Sequence, residues 1–373
     1  MNYRFELPKN IKRIVLKLGS VSVSKATGGL DRGKFKKLLV DIINLHQSGV
    51  QVVVVCSGAI NIGRPFLPTK KTEKVEIAHL QACSSIGQPI LMEAFRKYLQ
   101  RSEIHCAQVL LTHEDFKNRR RYLNSRNTLL KLLEHKVIPI LNENDSVSFA
   151  EITLGDNDQL AAMVCEQVDG DFLLIMTEAD GLYDKNPEER GAQSIPNVAY
   201  AEKMTGVKLG AKTGVGRGGM QTKLQAVKKL TTIGIPVVMA SYTKKSPIMR
   251  ALTENVGTFF AAKNILAKNR WKHWIFTTEK GNATISIDHG AYLAMQKNAS
   301  LLPVGIIKVN GHFKRGDTVA VKYKKRVIGI GLSEYDALEI EKIIGLKRPE
   351  IVVVLGHCPS SVVIHRDNYL NKD

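Results

Sequence analysis

The chain has 373 residues, 44% apolar and 24% charged, with a formal net charge of +19. That length predicts two domains with a sizeable core, and the composition excludes a disordered or fibrous chain. No run of about 18 apolar residues occurs, so no membrane-spanning helix is expected. The opening ten residues lack an apolar signal core, so a cytoplasmic location is expected.

In chain order, Ile11–Leu18 reads as a strand ending in Lys17-Leu18-Gly19-Ser20, a cation beside a glycine that lets an anion approach. Lys34–Gln47 reads as a helix with Phe35, Leu38, Leu39, Ile42 and Ile43 on one face and Gly49 just past its end. Val52–Val55 lacks polar alternation and suits a parallel strand covered on both faces. It leads into Cys56-Ser57-Gly58-Ala59-Ile60, a turn with exposed N–H groups and a hydroxyl. Strands follow at Ala107–Leu111 and Val137–Leu141, with a helix over Tyr122–Glu134 between them. The fourth strand runs into Asn142-Glu143-Asn144-Asp145, and Gly155-Asp156-Asn157-Asp158 precedes a helix over Leu160–Val168. Phe172–Met176 is the fifth strand, followed by the polar turn Thr177-Glu178-Ala179-Asp180-Gly181. Gly214 to Lys223 is rich in glycine and opens a helix with a lysine in its first turn, an arrangement that attracts phosphate. It is not a Walker loop, because Gly210-Ala211-Lys212-Thr213 has the wrong glycine spacing. Pro236–Met239 is a sixth strand. Each polar turn alone suits a plain connection as well as a ligand. Together they line the carboxyl ends of a parallel sheet, where α/β folds bind ligands.

Past Lys263 the texture changes. Lys263–Lys272 reads as a basic, helix-like connector. Short strand-like runs follow at Thr284–Ile287, Val304–Val309, Thr318–Val321, Arg326–Leu332 and Ile351–Leu355, separated by glycines, as in a small β-rich barrel. The expected division is 1–262, a connector over 263–280, and 281–373.

The five cysteines are scattered and form no C-x-x-C pair, which fits reduced thiols better than a disulfide frame or a zinc site. The positive charge is spread over both parts of the chain, which suits attraction of anionic substrates better than a nucleic-acid stripe. The assembled turns suggest phosphoryl transfer. A carboxylate approaching a phosphate meets like charge, about 4 kcal/mol per unit pair at 4 Å and an effective dielectric near 20. Two lysines and Mg²⁺ would offset that repulsion.

The ordered set Lys17-Leu18-Gly19-Ser20, Ser57-Gly58-Ala59-Ile60, Asn142 to Asp145, Leu154 to Asp158, Asp180 to Tyr183 and Gly218 to Lys223 resembles the glutamate 5-kinase family of the amino-acid kinase superfamily. Gln108 to Thr112 and Arg121 to Asn124 belong to the same likeness, and Ser300 to Gly305, Gly311 to Asp317 and His365 to Asn368 resemble an appended PUA domain. The resemblance implies an α/β three-layer sandwich on a mostly parallel sheet, with a small C-terminal β-barrel-like domain. It implies ATP-dependent phosphorylation of the side-chain carboxylate of L-glutamate, the first step toward proline. Lys17, Lys223 and Asp158 would be catalytic. Ser57, Gly58, Asn142, Asp145 and Asn157 would bind glutamate. Lys17, Thr177, Glu178, Arg217, Gly218, Gly219, Met220 and Lys223 would hold the nucleotide. Mg²⁺ would be held mainly by ATP phosphates and water, and no metal ligand is assigned. Proline as a feedback inhibitor and a homo-oligomer are further expectations. Val21, Cys56 and Arg217 depart from the family pattern, where serine, serine and threonine are common. The alternatives are another carboxylate kinase of the superfamily, or an RNA-binding protein acting through its PUA-like part.

Overall fold

The computed structural model describes residues 11–69, 75–148, 157–199, 219–263, 283–324 and 326–371. The chain divides into two compact units, Met1–Lys117 with Ser125–Ile265, and Asn118–Asn124 with Leu266–Asp373. Most of the expected 263–280 connector lies outside the described residues.

The first unit runs β1 (Arg13–Leu18), α1 (Ser20–Val23), α2 (Arg32–Gln47), β2 (Gln51–Cys56), α3 (Ala59–Gly63), α4 (Ile77–Gln100), β3 (Cys106–Leu111), α5 (His113–Lys117), all but the start of α6 (Arg119–Glu134), and β4 (Ile138–Glu143). It continues with α7 (Asn157–Gln167), β5 (Phe172–Thr177), the short β6 (Leu182–Tyr183), β7 (Ser194–Ile195) and β8 (Asn197–Val198), α8 (Met220–Thr232), β9 (Val237–Ser241), α9 (Pro247–Thr253) and β10 (Thr258–Phe260). The eight-stranded sheet has the order β3-β4-β2-β1-β5-β9-β10-β8. It is parallel from β3 to β9, and β10 turns antiparallel to β9.

Alternation along β1 and β2 builds two cores. Ile14, Leu16, Leu18, Val52 and Val54 pack with Phe35, Leu38 and Ile42 of α2 and with Phe95 of α4. Val15, Val53 and Val55 pack with Leu160, Ala161 and Val164 of α7 and Ala226, Val227 and Leu230 of α8. Each fully buried aliphatic side chain contributes about 1.5–3 kcal/mol relative to exposure, so both faces must be covered. Lys17 is in phase with Val15 and therefore belongs to the α7/α8 face. The register Leu18↔Cys56 and Leu18↔Met176 brings the carboxyl ends of β1, β2 and β5 level.

Asp31 caps α2 by accepting from the N–H groups of Gly33 and Lys34, both at 3.1 Å. Helices α3 and α4 cross with their backbones in contact. A Cβ at Gly63 would lie 1.9 Å from the Cys83 carbonyl oxygen, and one at Gly87 1.8 Å from that of Ala59. Only glycine permits this approach.

The second unit holds β11 (Thr284–Ile287), α10 (His289–Gln296), β12 (Ile306–Asn310), β13 (Thr318–Tyr323), β14 (Arg326–Leu332), α11 (Ala337–Ile343), α12 (Arg348–Leu355) and β15 (Tyr369–Asn371). Its separate sheet has the order β12-β11-β13-β14-β15 over a core of Ile285, Ile287, Val319, Val321, Tyr335, Ile340 and Val363. Asp336 and Glu339 form a reciprocal capping box at α11.

The strand expected over Ile351–Leu355 is wrong, because these residues form α12. Pro349 sits in its first turn, the Glu350 carboxylate accepts from the Lys347 N–H at 2.6 Å, and Gly356 ends it at φ +71°. Ile351 is buried while Val353 is 85% exposed, so the β-branched run lacks a strand's two-sided burial. The start and stop signals outweigh β propensity. Among the described residues no helix is long and apolar enough to cross a membrane.

Candidate active site

Three charged side chains converge on the α7/α8 face beyond β1. Lys17 Nζ lies 2.7 Å from Asp158 Oδ1, and Lys223 Nζ lies 3.1 Å from Asp158 Oδ2. Lys17 is 5% exposed and Asp158 fully buried. Asp158 is in the first turn of α7, where the helix dipole favours a carboxylate. Lys223 is in the first turn of α8, where the dipole opposes a cation. Gln159 Nε2 donates to the Thr222 carbonyl at 3.2 Å and stitches the two helix starts together. The Thr222 hydroxyl bonds the Gly219 carbonyl at 2.8 Å and reaches Asp158 Oδ2 at 3.3 Å.

Burial by itself would raise the Asp158 carboxyl, but the ammonium groups of Lys17 and Lys223 outweigh it and hold the carboxyl below its ordinary value. Lys223 moves down as well, driven by burial and by Lys17, with Asp158 restoring only part. The two directions agree because one carboxylate serves two cations. Asp158 is paired with both ammonium groups. The three side chains carry a formal charge of two cations against one carboxylate in a largely buried setting, which suits an incoming anion.

A chain of hydrogen bonds runs beside the triad. Asn157, next to Asp158, donates from Nδ2 to the Ser57 hydroxyl at 2.7 Å and to Asn142 Oδ1 at 2.9 Å. Asn142 Nδ2 donates to Gln88 Oε1 of α4 at 3.0 Å. The buried Asp145 carboxylate accepts from the Ser84 hydroxyl at 2.5 Å. Gly58 sits at φ +114°, where a Cβ would lie 2.7 Å from Val23 Cγ2, so the turn carrying Ser57 requires glycine.

At the end of β5, the Thr177 hydroxyl is spent on backbone, reaching the Ala179 carbonyl at 2.5 Å and that of Ala240 at 3.2 Å. The Ser241 hydroxyl donates to the Glu178 carbonyl at 2.8 Å, and the Glu178 side chain is exposed. Gly219 and Met220 stand at the start of α8, with open space where a Gly219 Cβ would be. Arg217 and Gly218 lie outside the described residues.

The structure thus joins Lys17, Asp158 and Lys223 directly and links Ser57, Asn142 and Asn157 through one network. Asp145 is tied to α4, and Thr177 and Glu178 sit at the neighbouring strand end. Sequence reasoning missed Ser84 and Gln88. Their signal was two polar residues four apart within the buried stripe Leu80, Cys83, Gly87 and Leu91 of α4. Among the described residues no group of three or more His, Cys, Asp or Glu side chains is placed to hold a metal.

A parallel sheet with a lysine–carboxylate–lysine cluster at its carboxyl edge suits the binding of a phosphate group. Residues 12–241 match the amino acid kinase family, and residues 283–355 match the PUA domain. Glutamate 5-kinase from Trichlorobacter lovleyi is 39% identical, covering 97% of each chain. The glutamate 5-kinase of Carboxydothermus hydrogenoformans is 39% identical over 99% of this chain and all of its own. That of Caldanaerobacter subterraneus subsp. tengcongensis is 40% identical over 95% and 96%. The chain belongs to the amino acid kinase family, in the branch formed by the glutamate 5-kinases. Among solved structures, UMP kinase from Ureaplasma parvum is similar over 68% of this chain and 99% of its own, at 16% identity and a TM-score of 0.49, too distant to bear on function.

Proposed function

We infer that this protein transfers the γ-phosphoryl group of ATP to the side-chain carboxylate of L-glutamate, giving glutamyl 5-phosphate and ADP. The observation that carries the reading is the buried Lys17–Asp158–Lys223 cluster with one cation in excess. Full-length similarity to glutamate 5-kinases supports glutamate over another acceptor and over an RNA-binding role.

In this reading Asp158 holds both ammonium groups in place before the reaction, so little reorganisation is needed as charge shifts onto the transferring group. Lys17 and Lys223 stabilise that group from two sides, with Gly219 and Met220 offering α8 N–H groups to the phosphates. Thr177 and Glu178 would serve the rest of the nucleotide, and Arg217 and Gly218 are further nucleotide-binding candidates from the sequence. Both oxygens of Asp158 are engaged by lysines, so that carboxylate is a poor candidate to ligate a cation. The donor set therefore fits Mg²⁺ carried on ATP phosphates, where the ion would add charge neutralisation.

The Ser57 hydroxyl accepts from Asn157, which leaves its own proton to donate to a substrate carboxylate. Asp145 remains an acceptor suited to the substrate ammonium. A site with donors at one end and a carboxylate at the other fits a free amino acid. The same membership supports proline inhibition, a homo-oligomer and a cytoplasmic location.

The test is ATP- and Mg²⁺-dependent acyl-phosphate formation, trapped with hydroxylamine, across glutamate, aspartate and acetylglutamate. Glutamate is expected to have the highest kcat/KM, and a clear preference for another acceptor would overturn the assignment.

A further inference from the structure

Helix α4 touches the acceptor network at two points. Ser84 and Gln88 are four residues apart, lie on one helix face, and are both buried. Ser84 bonds Asp145, and Gln88 bonds Asn142. Gly87, between them in sequence, presses its backbone against α3, the helix that follows the Ser57–Gly58 turn. The α4 face is therefore held at a set distance from that turn by backbone contact, which side-chain motion cannot absorb.

The polarity of the network follows from its members. Asn157 Nδ2 donates to Asn142 Oδ1, so Asn142 must present its Nδ2 to Gln88, and Gln88 must answer with Oε1. Turning any one amide would oppose two donors or two acceptors. The Gln88 Nε2 group is then left buried, with no partner among the described residues. A buried donor without a partner is costly in a protein that has no use for it. The Ser57 hydroxyl proton and the Gln88 amide are thus both donors left over at the two ends of one network.

We propose that Gln88, with Ser84, is a positioning residue for the acceptor substrate. Gln88 sets the amide orientation of Asn142, and through it of Asn157 and Ser57, so that the site presents donors to a carboxylate. Ser84 fixes the Asp145 carboxylate, so that it presents an acceptor to an ammonium group. The inference rests on the assignment of an amino-acid acceptor to this site.

The deciding experiment compares the wild type with Gln88→Met and Ser84→Ala as full chains. Methionine keeps the volume and removes both amide functions. Gln88→Met is expected to raise KM for glutamate by about tenfold, the scale of a lost buried hydrogen bond, with KM for ATP within about twofold. Ser84→Ala is expected to move the same constant in the same direction. Gln88→Glu keeps an oxygen for Asn142 but replaces the leftover donor with a charge that repels a carboxylate, so its KM for glutamate should rise further. Unchanged glutamate constants in Gln88→Met and Ser84→Ala would overturn the proposal. So would equal rises in both substrates' KM together with a lowered melting temperature, which mark a structural role. A wild type inert toward glutamate but active on another acceptor would refute the glutamate assignment alone, and the same comparison on that acceptor then decides the role of Gln88.

Discussion

Lys17 and Lys223 share one carboxylate but differ in setting. Lys17 is the penultimate residue of a strand, whereas Lys223 sits against the dipole of its own helix. Replacing either with alanine is expected to lower kcat by about 10²–10³-fold, the scale for losing one preorganised charge-stabilising donor. KM should change less, because charge develops mainly in the transition state. A near-normal kcat in steady-state assays would remove that lysine from the mechanism. Titration adds a second handle. The Lys223 ammonium is moved below its ordinary value by burial and by Lys17, so the alkaline limb of kcat/KM in the free enzyme should begin below the usual lysine range. Lys223→Arg, always charged, should lose that limb even if its rate is lower. For stability the sign of Asp158 is the familiar acid one. Its folded value is depressed, so the contribution is present above the unfolded carboxylate value and is lost as pH falls toward the folded one.

Among elements, the α3–α4 crossing governs the site most directly, because the Ser57 turn and the Gln88 face are set by it. Gly87→Ala would drive a Cβ to 1.8 Å from the Ala59 carbonyl oxygen, a backbone atom that cannot swing away. It should destabilise by about 1–3 kcal/mol, as overpacking does, and should raise KM for glutamate as the turn shifts. Gly33→Ala is the matched control. Its Cβ would have only the Asp31 carboxylate at 3.4 Å, within a helix, so it should be neutral or stabilising. Thermal melts and acceptor kinetics on the pair would show whether backbone contact is what holds the site. Equal stability in both variants would show that it is not. Helix α9 shows the same dependence between elements. Its start has no cap from its own sequence, and Asp41 of α2 accepts from the Ile248 N–H at 2.9 Å and the Met249 N–H at 3.3 Å.

At the scale of the molecule, each unit encloses its own buried cluster, and every proposed site residue precedes Lys223 or is Lys223 itself. A chain ending near Lys268 is therefore expected to fold and to phosphorylate glutamate. Circular dichroism and the hydroxylamine assay would check this. A folded but inactive truncation would show that the PUA domain contributes to the site or its assembly.

Much of the fold was legible in local pattern. The valines of β2, the apolar face of α2 and the alternation of β1 fix element type, because periodicity depends on near neighbours and on which faces must be dry. The strand-end placement of Lys17, Ser57, Asn142 and Thr177 followed from the same reading. At α12, local pattern misled until cap signals were weighed against β-branched content. Tertiary structure alone decided which polar groups meet. Lys223 reaches Asp158 across 65 residues of chain, and Asn142 reaches Gln88 across 54. It also decided that Asp41 caps a helix 207 residues away. A sequence announces that a carboxylate or an amide is present, but the partner it finds depends on where the packed layers bring distant segments, and that is set only when the two cores close.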